Sequence, residues 1–100
     1  MKLQSHGETL RASEIGELSA ANANAFRDEA RHALGQAHKN IEVDLSQTRA
    51  VDSCGLGALV ALHKTAAARG GVLRLINPTP PVQQILELTR MHRIFEVIKQ

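Results

Sequence analysis

The chain has 100 residues and a formal net charge of +2, enough for one domain with a modest core. One cysteine, two Phe and no Tyr or Trp exclude a disulfide framework and a Cys-rich zinc module, and leave few platforms for stacking nucleic-acid bases. No run of about 18 apolar residues is present, and the residues from Met1 to His6 lack an apolar signal core, so a reducing, cytoplasmic setting is expected.

Charge is unevenly placed. Residues 1–47 hold five Lys/Arg against seven Asp/Glu, whereas residues 48–100 hold seven against three. Six of these seven cations (Arg49, Lys64, Arg69, Arg74, Arg90, Arg93) are spaced singly, and Lys99 is the seventh. That pattern reads first as a solvated surface and next as the complement of an acidic protein partner; direct nucleic-acid binding is not expected.

In chain order, the segment from Thr9 to Ile15 alternates partially and predicts a strand between Gly7 and Gly16. Ala23, Phe26, Ala30, Leu34 and Ala37 recur at helical spacing and predict a helix over 20–38, capped by Ser19 or Asn22, with Asp28 facing Arg31 or His32. Ile41, Val43 and Leu45 predict a strand, followed by a polar loop. A second helix is predicted from Ser53 to about Arg69, with Leu56, Leu59, Val60 and Ala67 buried and His63 at the margin. Gly70 and Gly71 end it. Residues 72–76 read as a central strand. Thr79 and the following prolines launch a third helix with Val82, Ile85, Leu86 and Thr89 inward, and residues 94–98 close the chain as a strand. Strands alternating with helices imply a small α/β domain with at least partly parallel, right-handed connections.

The informative segment is Asp52-Ser53-Cys54-Gly55-Leu56-Gly57, at the start of the second helix. Two glycines in a first helical turn cost about 1 kcal/mol each against Ala. Either the helix start approaches the sheet closely, or a partner approaches the helix. Asp52 and Ser53 fall at the positive end of the helix dipole, where a carboxylate or a phosphate is favoured. An ordinary capping sequence accounts for the same two residues. Other chemistry finds no support. The glycines do not form a dinucleotide or phosphate-loop pattern, and no Gly-x-Ser-x-Gly elbow exists. His6, His32, His38, His63 and His92 are scattered, none at a metal-ligand spacing from Cys54. No catalytic residue, metal site or cofactor is expected.

This hexapeptide resembles the signature of STAS domains, the bacterial anti-sigma factor antagonists, whose pattern is Asp-Ser-Ser/Thr-Gly-Leu-Gly. Val43-Asp44-Leu45-Ser46, Gly16-Glu17-Leu18, Gly70-Gly71-Val72-Leu73-Arg74-Leu75 and Ile85-Leu86-Glu87-Leu88-Thr89 with Ile94-Phe95 are similar to the family's flanking segments. The resemblance implies a single STAS-like domain over 1–100, with a mixed β-sheet of about four or five strands and helices packed mainly on one face. It implies a regulatory binding protein rather than an enzyme. Unphosphorylated, it would bind an anti-sigma serine kinase. Phosphorylation at Ser53 would release it, and a metal-dependent serine phosphatase would reset it. Asp52, Ser53, Cys54, Gly55, Leu56, Gly57 and Ser19 would then form the partner surface. Cys54 stands where the family has Ser or Thr, and Ser19 where it has Asp. The alternative is a non-switching STAS module, as a small subunit of a lipid-type ABC transport complex or a scaffold in a sensory assembly.

Overall fold

The computed structural model describes residues 1–100. The elements are β1 (Lys2–His6), β2 (Thr9–Ser13), β3 (Glu17–Leu18), α1 (Ala23–Ala33), β4 (Asn40–Asp44), β5 (Ala50–Val51), α2 (Ser53–Ala68), β6 (Leu73–Ile76), α3 (Pro80–Leu88), a 3-10 turn (Met91–Arg93) and β7 (Glu96–Ile98). The main sheet runs β1-β2-β4-β6-β7, with β1 antiparallel and the rest parallel. β3 and β5 form a separate parallel pair.

The order β2-β4-β6-β7 never reverses. Right-handed crossovers added always on the same side place every helix on one face and leave no switch-point crevice. In register across the sheet, Ala12, Val43, Leu75 and Val97 face the helices. They join one core with Phe26 and Ala30 of α1, Leu59 and Leu62 of α2, and Val82 and Leu86 of α3. The alternate residues carry charge in opposite order, Arg11-Glu42-Arg74-Glu96, on the uncovered face. Arg11 pairs with Glu42 (3.2 Å) and Asp44 (3.3 Å), and Arg74 with Glu96 (3.5 Å) and Glu42 (4.0 Å). A parallel sheet is normally buried on both faces; here a cross-strand charge ladder solvates the second one.

Several boundaries differ from the sequence reading. Polar β1 is not apparent from periodicity; it forms as the edge strand of a hairpin turned by Gly7 at φ +60°. Helix α1 stops at Ala33, and Ala37 is exposed. Past it, the Gly35 N–H donates to His38 Nδ1 (2.8 Å), and Arg69 donates to the carbonyls of Gly35 and His38. This closes the chain into a turn. Asp28 pairs with Arg27 rather than Arg31, which instead reaches Thr65 of α2. The α2 stripe runs through Leu56, Leu59, Leu62 and Ala66; Val60 is half-buried and Ala67 exposed. The last strand is only residues 96–98, because the 3-10 turn uses the preceding residues.

At the carboxyl end of the strands, Thr48 is fully buried. Its hydroxyl donates to the Ile15 carbonyl (2.6 Å), and its own carbonyl accepts from the Thr79 hydroxyl (2.6 Å). Thr79 therefore ties the start of α3 to the loop before β5 instead of capping its own helix. Replacing Thr48 by Val removes one of these bonds at nearly constant volume. It is expected to lower unfolding free energy by about 1–2 kcal/mol, with an unchanged denaturant slope, whereas Thr48→Ser keeps the hydroxyl and loses about 0.8 kcal/mol for a buried methyl.

Candidate functional site

The short β3–β5 pair sets the start of α2. The Asp52 N–H donates to the Leu18 carbonyl (3.0 Å), extending the ladder by one bond before the chain turns into the helix. Asp52 is then the N-cap in an extended conformation, and its Oδ1 accepts from the Gly55 N–H at 3.0 Å. Its second oxygen, Oδ2, accepts from the Ala20 N–H at 3.0 Å. One carboxylate thus closes the open end of α2 and holds the loop that leads into α1.

That loop is braced internally. Asn22 Oδ1 accepts from the Ser19 N–H (2.8 Å), and its Nδ2 donates to the Glu17 carbonyl (2.7 Å). Asn22 occupies the N-cap position of α1 without capping it through its side chain. Ser19 is half-buried; its hydroxyl accepts from the Ala21 N–H (3.3 Å), and its carbonyl accepts from Asn22 and Ala23. The structure therefore brings Ser19 beside Asp52 through the intervening Ala20. Ala20 and Asn22 are the participants that sequence reading misses as site residues. Ala20 acts only through its backbone, which leaves no side-chain signal.

The six residues of the motif divide by role. Asp52, Ser53, Cys54 and Gly57 are exposed, and Gly55 and Leu56 are buried. A Cβ on Gly55 would collide with the Leu18 backbone and lie 2.7 Å from the Leu18 side chain, so this glycine lets α2 seat against β3. A Cβ on Gly57 would meet nothing within 4 Å. Its helix-weakening effect has no reason inside the molecule. Ser53 is the first residue of α2, where backbone N–H groups have no carbonyl partner in the preceding turn. Both Asp52 oxygens are taken up by backbone donors, so the carboxylate is not aimed at the Ser53 hydroxyl as a base. An open cleft of about 240 Å³ lies behind the same loop, lined by Ile15, Asn22 and Phe26 among others, and Ser53 takes no part in it. The site is a surface, not a pocket.

The electrostatics follow from these bonds. The Gly55 N–H, and after it the Ala20 N–H, hold the Asp52 carboxyl below its ordinary value of 3.8. Asp44, on the charge ladder, is pushed up by partial burial, but bonds from Ser46 and the nearby Arg11 guanidinium outweigh this and lower it as well.

The family model described as "Mlab, STAS domain" matches residues 1–98. A Thermotoga maritima protein assigned as an anti-sigma factor antagonist is 32% identical over 85 residues, covering 81% of this chain and 73% of that one. Among solved structures, the anti-sigma factor antagonist SpoIIAA in its unphosphorylated form superposes with a TM-score of 0.85 at 22% identity, covering 99% of this chain and 86% of the other. The phosphorylated form of SpoIIAA, a Bacillus cell fate determinant, gives 0.77 at 21% identity, with 99% and 89% covered.

Two outcomes test the site as built. Gly55→Ala is expected to destabilise by about 1–3 kcal/mol through overpacking, while Gly57→Ala, in open space, stabilises by about 0.5–1 kcal/mol; denaturant unfolding of both variants separates the two roles. A carboxyl held low in the folded state contributes stability above pH 3.8 that is lost as pH falls through its lower folded value. Asp52→Asn should therefore flatten the acid limb of the stability curve and leave its alkaline limb unchanged.

Proposed function

Because the chain belongs to the STAS domain family, and its relatives include anti-sigma factor antagonists, we propose that it is a phosphorylation-switched antagonist whose switch residue is Ser53. The observation that carries this reading is the exposed Ser53 hydroxyl at the first position of a helix whose end is already sealed by Asp52. A regulatory hydroxyl must be reachable by a partner's active site, and its modification must not unfold the domain. Both conditions are met at a helix N-terminus, where added negative charge is tolerated.

The partner on this reading is an anti-sigma serine kinase, which the unphosphorylated protein binds in place of its sigma factor. In the kinase complex, Ser53 Oγ takes the γ-phosphoryl group of the kinase's ATP and ADP leaves. The hydroxyl proton goes to a base of the kinase, since Asp52 is occupied elsewhere. The product carries about −1.5 to −2 of new charge beside the ionised Asp52 carboxylate. Helix and cap stay in place, but the surface at Asp52, Ser53, Cys54 and Gly57 becomes strongly anionic and the kinase is released. A metal-dependent serine phosphatase hydrolyses the phosphoester and restores the binding form. Gly57 belongs to this reading as the position where a partner's chain comes close to the helix.

Ser53→Ala should abolish phosphoryl incorporation by the cognate kinase while keeping the fold and kinase binding. Ser53→Asp should bind the kinase at least about tenfold more weakly, a change of some 1.4 kcal/mol. Phosphate incorporation persisting in Ser53→Ala, or retention of a transporter ATPase subunit and no kinase in a pull-down, would overturn the reading in favour of a non-switching transport module. Gly57→Ala separates binding from folding: it should weaken the kinase complex by isothermal calorimetry although the free domain becomes more stable.

A further inference from the structure

The fold takes up part of the basic excess of the second half of the chain, while Arg49, Lys64 and Lys99 stand singly on the surface outside every ion pair. Arg74 is taken up by Glu42 and Glu96, and Arg69 by the carbonyls of Gly35 and His38. Arg90 and Arg93 take part in none of the six ion pairs. Both lie exposed in the segment from Leu88 to Ile94, which also carries two of the four large exposed apolar side chains, Leu88 at 73% and Ile94 at 49% exposure. Neither belongs to the core.

This segment is a compact knuckle. The Arg90 N–H donates to the Glu87 carbonyl, Arg93 to Arg90, and Ile94 to Met91, in successive tight turns. Arg90 holds a left-handed φ of +59° although it is not glycine. Met91 packs against the core, and Phe95 meets His63 of α2 edge-on at 5.9 Å. The side chains that project outward therefore stand on a fixed base. Single exposed aliphatics are normal. Two aliphatics and two unpaired arginines within seven residues form a surface that folding does not require, of the kind enriched at protein interfaces.

Topology sets this surface apart from Ser53. Helix α2 starts beyond the carboxyl ends of β4 and β5. The knuckle comes after α3 has run back from the carboxyl end of β6, and it leads into the amino end of parallel β7. The two surfaces lie at opposite ends of the sheet.

We propose that the knuckle is a second protein-docking surface, and that its occupant is an acidic amphipathic segment of a partner. The segment's aliphatic side chains cover Leu88 and Ile94, and its carboxylates pair with Arg90 and Arg93. Charge complementarity selects this occupant, since the knuckle offers guanidinium groups with no internal acceptor. An anionic membrane is the weaker fit, because two arginines and two aliphatics give little purchase on a bilayer compared with a polybasic helix.

The test uses the full chain and a short fluorescent peptide with leucines one helical turn apart, flanked by glutamates. Anisotropy should show binding that weakens with salt. Arg90→Glu/Arg93→Glu and Leu88→Ser/Ile94→Ser should each reduce affinity at least about tenfold without shifting the unfolding midpoint. A peptide with lysines for glutamates should not bind. Ser53→Asp should leave the affinity unchanged, so failure here is separable from failure of the switch. Absence of binding at low salt, equal binding of the lysine peptide, or indifference to the knuckle substitutions overturns the proposal. So does capture by anionic phospholipid vesicles with no capture of the peptide.

Discussion

The start of α2, at the carboxyl end of this sheet, is organised by one carboxylate with two backbone partners. Asp52 accepts from Gly55 in its own helix and from Ala20 in the loop ahead of α1. The first bond satisfies an orphan N–H of α2. The second joins two loops that are distant in the chain. Because each bond favours the charged form, the carboxyl is held below its ordinary value. The exposed Ser53 hydroxyl is thus presented on a helix end whose geometry is already fixed, beside a carboxylate held in its charged form. On the proposed reading, phosphorylation of Ser53 would change what a partner meets without first having to reorganise the domain.

The same economy shapes the sheet. A strand order that never reverses gathers the helices on one side and exposes the other. Leu, Ile, Val and Ala fill the covered side, and an Arg-Glu-Arg-Glu row lines the open one. Each charge has an opposite neighbour on the adjacent strand. Surface ion pairs contribute little individually, but their alternation keeps like charges apart on a parallel sheet whose second face meets water. The candidate site and the exposed knuckle lie at the ends of the sheet, where loops and helix termini are found.

Local chemistry was the legible part of the sequence. An acid, a hydroxyl and an apolar helical repeat announce a helix start at Asp52–Ser53, and alternation announces β4. The signals that failed are non-local. Nothing in residues 2–6 distinguishes a polar edge strand from a loop. The α1 periodicity continues numerically to Ala37, although Gly35 and the His38 turn end the helix earlier. Gly55 and Gly57 look alike in sequence; only the Leu18 backbone separates the glycine that folding requires from the one it does not. The Ala20 N–H, an essential partner of Asp52, has no side chain to reveal it. The charge ladder draws on four strands, so its members look like singly spaced surface charges until the register is known.

On the proposed reading Ser53 carries a regulatory phosphate. Its most direct test is the intact mass of the protein isolated from its own cells, followed by fragmentation to locate any modification. The expected result is a population heavier by one phosphoryl group, with the group on Ser53 and its proportion changing with growth conditions. A protein that is unmodified under every condition, or phosphorylated only elsewhere, would contradict it.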